Sequence, residues 1–360
     1  MLWQPATATL SRKKYNGQST SKNLQYLPSL TQELFLDLAF ETEKHANIKE
    51  VLKHYRSITQ NHHTDSLKHI LEYFRDVKLQ GIIDENLPGD ILEFVRNMTN
   101  IEEDEASSEI ILSSFDPENK NKREEIREKL KIVWDGYKAI IDTVRVNQRL
   151  EIVYKTTLKK IFDFVDFYNR KEEFKSFCEY LRSGLRMALN RKDRTEQQRA
   201  FYIDIEKEEV NTNNIEIRLE QFEVTTKLGL WQEAFQVLED INDLMKVRRG
   251  SVKNSIKCSY FLKLALLFQK SCYWHYHAYA FYNYYLIYMT KSKLSADEKK
   301  KLSDKLILSV LCIPPSTLES HQSKESQEKI SSMMISSKIP EKEQMQDMMV
   351  SRGIVENASK

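Results

Sequence analysis

Apolar residues recur every three to four positions along most of this chain, and their phase resets at short polar breaks. This is the pattern of amphipathic helices joined by tight turns. The sharpest break is at Gly229. Before it, Ile215, Leu219, Phe222 and Thr226 share one helical face; after it, Trp231, Ala234, Phe235, Leu238, Ile241 and Met245 share another. A helical hairpin closed near Gly229 is therefore predicted over residues 215–245. Two such helices cannot hide both stripes against each other alone, so the hairpin reads as one unit of a stacked array.

The same periodicity lays out the rest. Residues 1–28 lack it and read as a disordered or atypical leader. The array is expected over residues 29–315. It opens with Leu30, Leu34, Leu38 and Ala39, continues with Ile48, Leu52, Tyr55 and Ile58, and then with Leu67, Ile70, Leu71 and Phe74 behind Asp65 as an N-cap. Residues 81–122 are punctuated by Pro88-Gly89, by an acidic run at 102–105 and by Asp116-Pro117. A loop-rich acidic insertion near 99–122 is expected there, with one short helix over 91–98.

Two long stripes follow: Leu130, Val133, Trp134, Tyr137, Ile141 and Val144, then Leu150, Val153, Tyr154, Thr157, Leu158, Ile161, Val165 and Tyr168. Phe174, Phe177, Leu181, Leu185 and Ala188 give the next helix. After the 215–245 hairpin come helices bearing Phe261, Leu264, Leu267 and Phe268, then nine aromatics between Tyr273 and Tyr288, then Leu302, Leu306 and Val310 ahead of Pro314-Pro315. The aromatics lie all around their helix, which predicts central burial with one face left for a further segment. Residues 316–326 read as a linker. Met333, Met334, Met345, Met348 and Met349 mark short amphipathic helices split by Pro340.

Composition agrees with an all-α chain, because only 8 Gly and 7 Pro interrupt 360 residues and strand-type alternation is scarce. The net charge of +2 supplies no global field toward nucleic acid or membrane, so any basic surface must be local. Cys178, Cys258, Cys272 and Cys312 sit in apolar stretches without a paired framework and are expected to be reduced and buried. No segment has the signal-peptide or membrane-span pattern, so a cytoplasmic protein without membrane contact is expected.

Candidate chemistry is sparse. Phosphate loops, nucleophile elbows and zinc-protease motifs are absent, and the carboxylates are interleaved with Lys and Arg as on solvated faces, so neither catalysis nor a cofactor is expected. Cys272 and His275, three apart on a presumed helix, make a poor metal pair and read as part of a packed aromatic cluster. Two basic inter-helix stretches, residues 186–199 and 246–257, offer Arg191, Lys192, Arg194, Arg248, Arg249 and Lys253 as RNA or ribosome contacts. The competing reading is an ordinary solubilising loop, since aromatics are not interleaved.

Several runs carry a resemblance to a known family: Asn147-Gln148-Arg149-Leu150-Glu151, Tyr168-Asn169-Arg170-Lys171-Glu172-Glu173-Phe174 with Cys178 and Leu181-Arg182, Ile217-Arg218-Leu219-Glu220, Leu230-Trp231-Gln232-Glu233-Ala234-Phe235 with Glu239-Asp240-Ile241, and Cys312-Ile313-Pro314. In order and spacing they resemble the largest (a) subunit of eukaryotic translation initiation factor three. The resemblance runs from about Leu30 to Pro314, and the Met-rich end is similar to the opening helices of that family's PCI module.

It implies a right-handed superhelical array of TPR-like hairpins and a scaffold on the small ribosomal subunit, paired with the c subunit near the messenger exit side. Other subunits, mRNA and rRNA are further partners it implies. Residues 1–28 depart from the family's additional N-terminal helices, and the chain stops before its winged helix, so a truncated version is expected. A scaffold of another PCI assembly, of the proteasome-lid type, and a direct RNA-binding module are the alternatives.

Overall fold

The computed structural model describes residues 52–53, 55–57, 64–86, 117–145, 147–189, 205–247, 252–290, 295–314, 324–334 and 339–359. Among these every regular element is helical. α1 (Thr64–Tyr73) runs through a π-helical turn (Phe74–Leu79) into α2 (Gln80–Asn86). α3 (Pro117–Val144), α4 (Glu151–Tyr168) and α5 (Lys171–Leu189) follow, then α6 (Glu208–Lys227), α7 (Trp231–Val247), α8 (Asn254–Lys270), α9 (Trp274–Tyr288) and α10 (Ala296–Leu311). Three short helices close the order: α11 (Lys324–Met333), α12 (Lys342–Ser351) and α13 (Ile354–Ser359). The stripes expected from residues 30–48, and the short helix expected over 91–98, lie outside the described residues.

Three successive hairpins close by one device. The last turn of α4, α6 and α8 ends in a residue of positive φ: Asn169 (54°), Gly229 (77°) and Cys272 (61°). The next amide then reaches back five residues, from Arg170 to the Val165 carbonyl, from Leu230 to Thr225 and from Tyr273 to Phe268, at 3.1, 2.8 and 2.9 Å. This Schellman arrangement satisfies orphan carbonyls and turns the chain so that the next helix starts two residues after the left-handed one. Glycine takes that conformation without steric cost and asparagine takes it readily, whereas a cysteine there is unusual.

Two apolar cores run through the array. The first gathers Leu52, Tyr55, α1 to α4 and the first part of α5; Trp134 is fully buried in the angle between α4 and α5, its ring centroid 6.3 Å from Phe164 and 5.6 Å from Phe177. Gly136 lets α3 approach the π turn closely, since a Cβ there would lie 2.6 Å from Leu79 Cδ2. The second core runs from Leu185 to Ile354 and includes Met333, Met334, Met345 and Met349. α6 joins the two: Ile217, Val224 and Leu228 belong to the first, and Ile215, Leu219 and Phe222 to the second. A helix buried on two faces needs two apolar stripes, and α6 has them.

Several expectations are corrected. α2 keeps residues 81–86 helical, where the weakened pattern from Gly81 onward suggested loop; Phe74 and Leu79, both buried, stand five apart, and the π turn absorbs that spacing and carries the helix on. Pro117 opens α3 as its first residue, where the missing N–H costs nothing, so residues 117–122 are helix and not insertion loop. Asp65 lies inside the first turn of α1 and is not its cap. Residues 324–326 belong to α11 rather than to a linker.

Cys178 and Cys258 are buried, but Cys272 and Cys312 are exposed because each follows the last turn of its helix. Cys272 also precedes α9, so it does not share a helix with His275. Of the nine aromatics only Tyr279, Tyr282 and Tyr285 are buried; Trp274, Tyr276, Phe281, Tyr284 and Tyr288 are half-buried, and Tyr273, just before α9, is exposed.

Candidate functional site

Among the described residues a groove lies where the two cores meet. α5 brings Glu179, Arg182 and Arg186 to it, at helical offsets of three and seven that put them on one face. α7 brings Trp231, Phe235 and Glu239 at offsets of four and eight, and α11 adds Lys329. The groove encloses about 590 Å³, and the end of α8 closes it through Leu267 and Ser271. Trp231 and Phe235 were expected in the hairpin core. Ala234, Val237, Leu238, Ile241, Leu244 and Met245 fill that core instead, and the two aromatics sit at the edge of the stripe, Trp231 36% exposed.

Beneath the groove is a charge network that the sequence pattern disguised as a solvated face. Arg182 Nη2 donates to Glu239 Oε2 at 2.7 Å, and its Nε stands 3.5 Å from Asp240 Oδ1 without hydrogen-bond geometry. Arg218 reaches Asp240 Oδ2 at 3.7 Å and donates to Gln221 Oε1 at 2.7 Å and to the Leu181 carbonyl at 2.8 Å. Lys329 Nζ lies 2.5 Å from Glu239 Oε1 and 5.9 Å from the Phe235 ring centroid. All of the carboxylate and arginine side chains in this network are largely buried, whereas Lys329 is more than half exposed.

Burial pushes the Asp240 carboxyl above the usual carboxylate range, and the guanidinium groups of Arg218 and Arg182 pull it partly back. Burial likewise pushes the Cys178 thiol up to about 12, against a hydrogen bond to Gln221 and the charge of Arg218. Buried charges hold only when paired and hydrogen-bonded, so α5, α6 and α7 are fixed to one another at this point.

Of the residues expected to meet RNA or the ribosome, Arg191, Lys192, Arg194, Arg248 and Arg249 lie outside the described residues. Lys253 is described: it is exposed and sits at the N-cap of α8 with extended backbone. No group of three or more potential metal ligands converges among the described residues. No described helix is long and apolar enough to cross a membrane.

Arg182, Arg218, Glu239 and Asp240 were in view only through the resemblance. A periodicity signal existed nonetheless. Arg218 is flanked by Ile217 and Leu219 in a helix whose two faces are both apolar, which leaves no solvated face for it.

Comparison with known proteins agrees with this architecture. A family model described as eIF3a, PCI domain, TPR-like region matches residues 17–360. Among similar proteins, the (a) subunit of eukaryotic translation initiation factor 3 from Yarrowia lipolytica is 26% identical over 285 residues, covering 78% of this chain and 30% of its own. The Arabidopsis thaliana protein of that name is 28% identical over 285 residues, covering 78% of this chain and 28% of its own. The one from Neurospora crassa is 28% identical over 312 residues, covering 83% and 29%. The chain thus spans under a third of the length of these relatives. A match across nearly all its residues, on an array of stacked hairpins, means that the chain belongs to the eIF3a family, in its PCI and TPR-like region.

Proposed function

We propose that this chain is a non-catalytic scaffold of the translation initiation factor 3 complex, holding partner subunits, the c subunit foremost, and contacting the small ribosomal subunit in the cytoplasm. The observation that carries the proposal is the groove at the core seam: aromatic side chains presented at a surface held rigid by a buried charge network. Rigid anchors of this kind lower the ordering cost of association, and aromatic and arginine side chains dominate interface energies. Membership of the eIF3a family supports this assembly over the proteasome-lid type.

Contact with rRNA or mRNA is assigned to Arg191, Lys192, Arg194, Arg248, Arg249 and Lys253, of which Lys253 stands exposed beside α8. Such contact would weaken steeply with salt, and reversal of Arg248 and Arg249 would weaken it regardless of sequence. Co-sedimentation with purified small ribosomal subunits and the c subunit tests the proposal. Enrichment in the ribosomal fraction is expected, and absence of the chain from that fraction, with the c subunit bound there, refutes it.

A further inference from the structure

We propose that the groove at the core seam receives a partner helix carrying a basic and an acidic side chain seven residues apart on one face, with aliphatic residues between them. This deepens the scaffold reading and rests on it. The α5 wall of the groove displays Glu179 and Arg186 at its two ends, and neither makes an ion pair with another described residue. The charges between them are spent: Arg182 on Glu239 and Asp240, and Glu239 also on Lys329. Seven helical residues rise about 10 Å. Among the described residues the groove therefore presents, that distance apart, a carboxylate and a guanidinium without ion-pair partners, the guanidinium also acting at longer range on Asp240, over a floor of Trp231, Phe235 and Leu267.

The complementary surface is a cation and a carboxylate at the same spacing, with an aliphatic anchor at the intermediate helical positions. A helix rather than an extended strand fits, because the neighbouring walls are themselves helices: α11 touches α7, with Lys329 on Glu239. Single-stranded RNA fits poorly. Two carboxylates, Glu179 and Glu239, line the groove, and Arg186 is the only lining cation without an ion-pair partner among the described residues.

The test uses the 360-residue chain and fluorescein-labelled helical peptides of about 16 residues built on Lys-Ala-Ala-Leu-Leu-Ala-Ala-Glu, read by anisotropy. Variants of the peptide carry Glu at both charged positions, Lys at both, or Ser for both Leu. The mixed-charge peptide should bind about three- to fivefold more tightly than either like-charged peptide, the scale of one exposed ion pair. The Ser variant should lose about tenfold or more.

Arg186→Glu should transfer the preference to the peptide with Lys at both positions, and Glu179→Lys to the one with Glu at both. Both residues are exposed, so the fold is retained and helicity by circular dichroism checks it. Absence of binding by the mixed peptide, a preference that ignores these two substitutions, or displacement of the peptide by a uridine oligonucleotide would each overturn the proposal. Because ribosome co-sedimentation is read separately, a failed groove and a failed scaffold are told apart.

Discussion

Glu239 offers the sharpest test of how the seam is held. Its carboxylate is buried and accepts from Arg182 at 2.7 Å, with Lys329 on its other oxygen. Glu239→Ala leaves the Arg182 guanidinium buried with only the 3.5 Å contact to Asp240. Breaking a buried pair costs about 3–5 kcal/mol. Here Asp240 compensates in part and the groove admits water, while the exposed Lys329 contact is worth about 1 kcal/mol at most. The balance is a loss of about 2–3 kcal/mol. The double replacement Arg182→Met with Glu239→Leu removes both charges and keeps volume, so it should return to within about 1 kcal/mol of the parent chain.

Urea unfolding followed by tryptophan fluorescence reads the difference, since Trp134 lies in the first core and Trp231 at the seam. With a slope near 3 kcal/mol per molar, the single change lowers the midpoint by roughly 0.8 M and the double change by less than about 0.3 M. The coupling between the two sites should be about 2 kcal/mol in a double-mutant cycle. A Glu239→Ala midpoint unchanged from the parent, or a double variant as unstable as the sum of its singles, would refute the account of the seam.

Three further outcomes are expected. Asp240 has a folded-state pKa raised by burial, so the folded chain holds that proton more tightly than the unfolded one. Stability from this group is therefore gained as pH falls from its raised value toward the ordinary aspartate value near 3.8, and Asp240→Asn should lose ground to the parent over that window in urea midpoints taken at stepped pH. With a maleimide reagent under native conditions, Cys272 and Cys312 should label quickly, while Cys178, its thiol pushed up to about 12, and buried Cys258 label only on denaturation, as peptide mass mapping would read. At the hairpin turns, Gly229→Ala should cost about 1 kcal/mol through backbone strain alone, as nothing lies within 4 Å of the added Cβ, whereas Cys272→Gly should stabilise by up to about 1 kcal/mol in thermal unfolding.

How much of this was legible in the sequence depended on what each residue had to do. Helices whose single stripe faces one core, such as α3 with Leu130, Val133, Trp134 and Tyr137, follow directly from apolar spacing. The turn at Gly229 was legible because glycine advertises positive φ. The equivalent turns at Asn169 and Cys272 were not, because their residues advertise it weakly or not at all. Pro117 was visible as a boundary but not as the start of a helix. The groove was hidden for another reason. Trp231 and Phe235 share a stripe with core residues, and only the packing of α5, α8 and α11 decides which members of a stripe are covered. Charge pairing across helices far apart in sequence, as between Arg182 and Glu239, has no local periodic signal.

The position of those charges also bears on how a stacked array behaves as one body. Stacked hairpins touch mainly their neighbours, so the weakest interface governs how the array bends. Among the described residues α5 and α6 contribute to both apolar cores, and the buried ions of Arg182, Arg218, Glu239 and Asp240 stand at that junction. An apolar junction tolerates sliding, because hydrophobic contact has no direction. Ion pairs and the Arg218 bond to the Leu181 carbonyl tolerate little, since a shift of an ångström leaves buried charges unsatisfied. The seam trades some stability for a fixed angle between the halves. A groove formed by side chains from both sides of that seam can keep its shape only if the angle is fixed, so the network under the floor and the aromatic anchors above it belong to one arrangement.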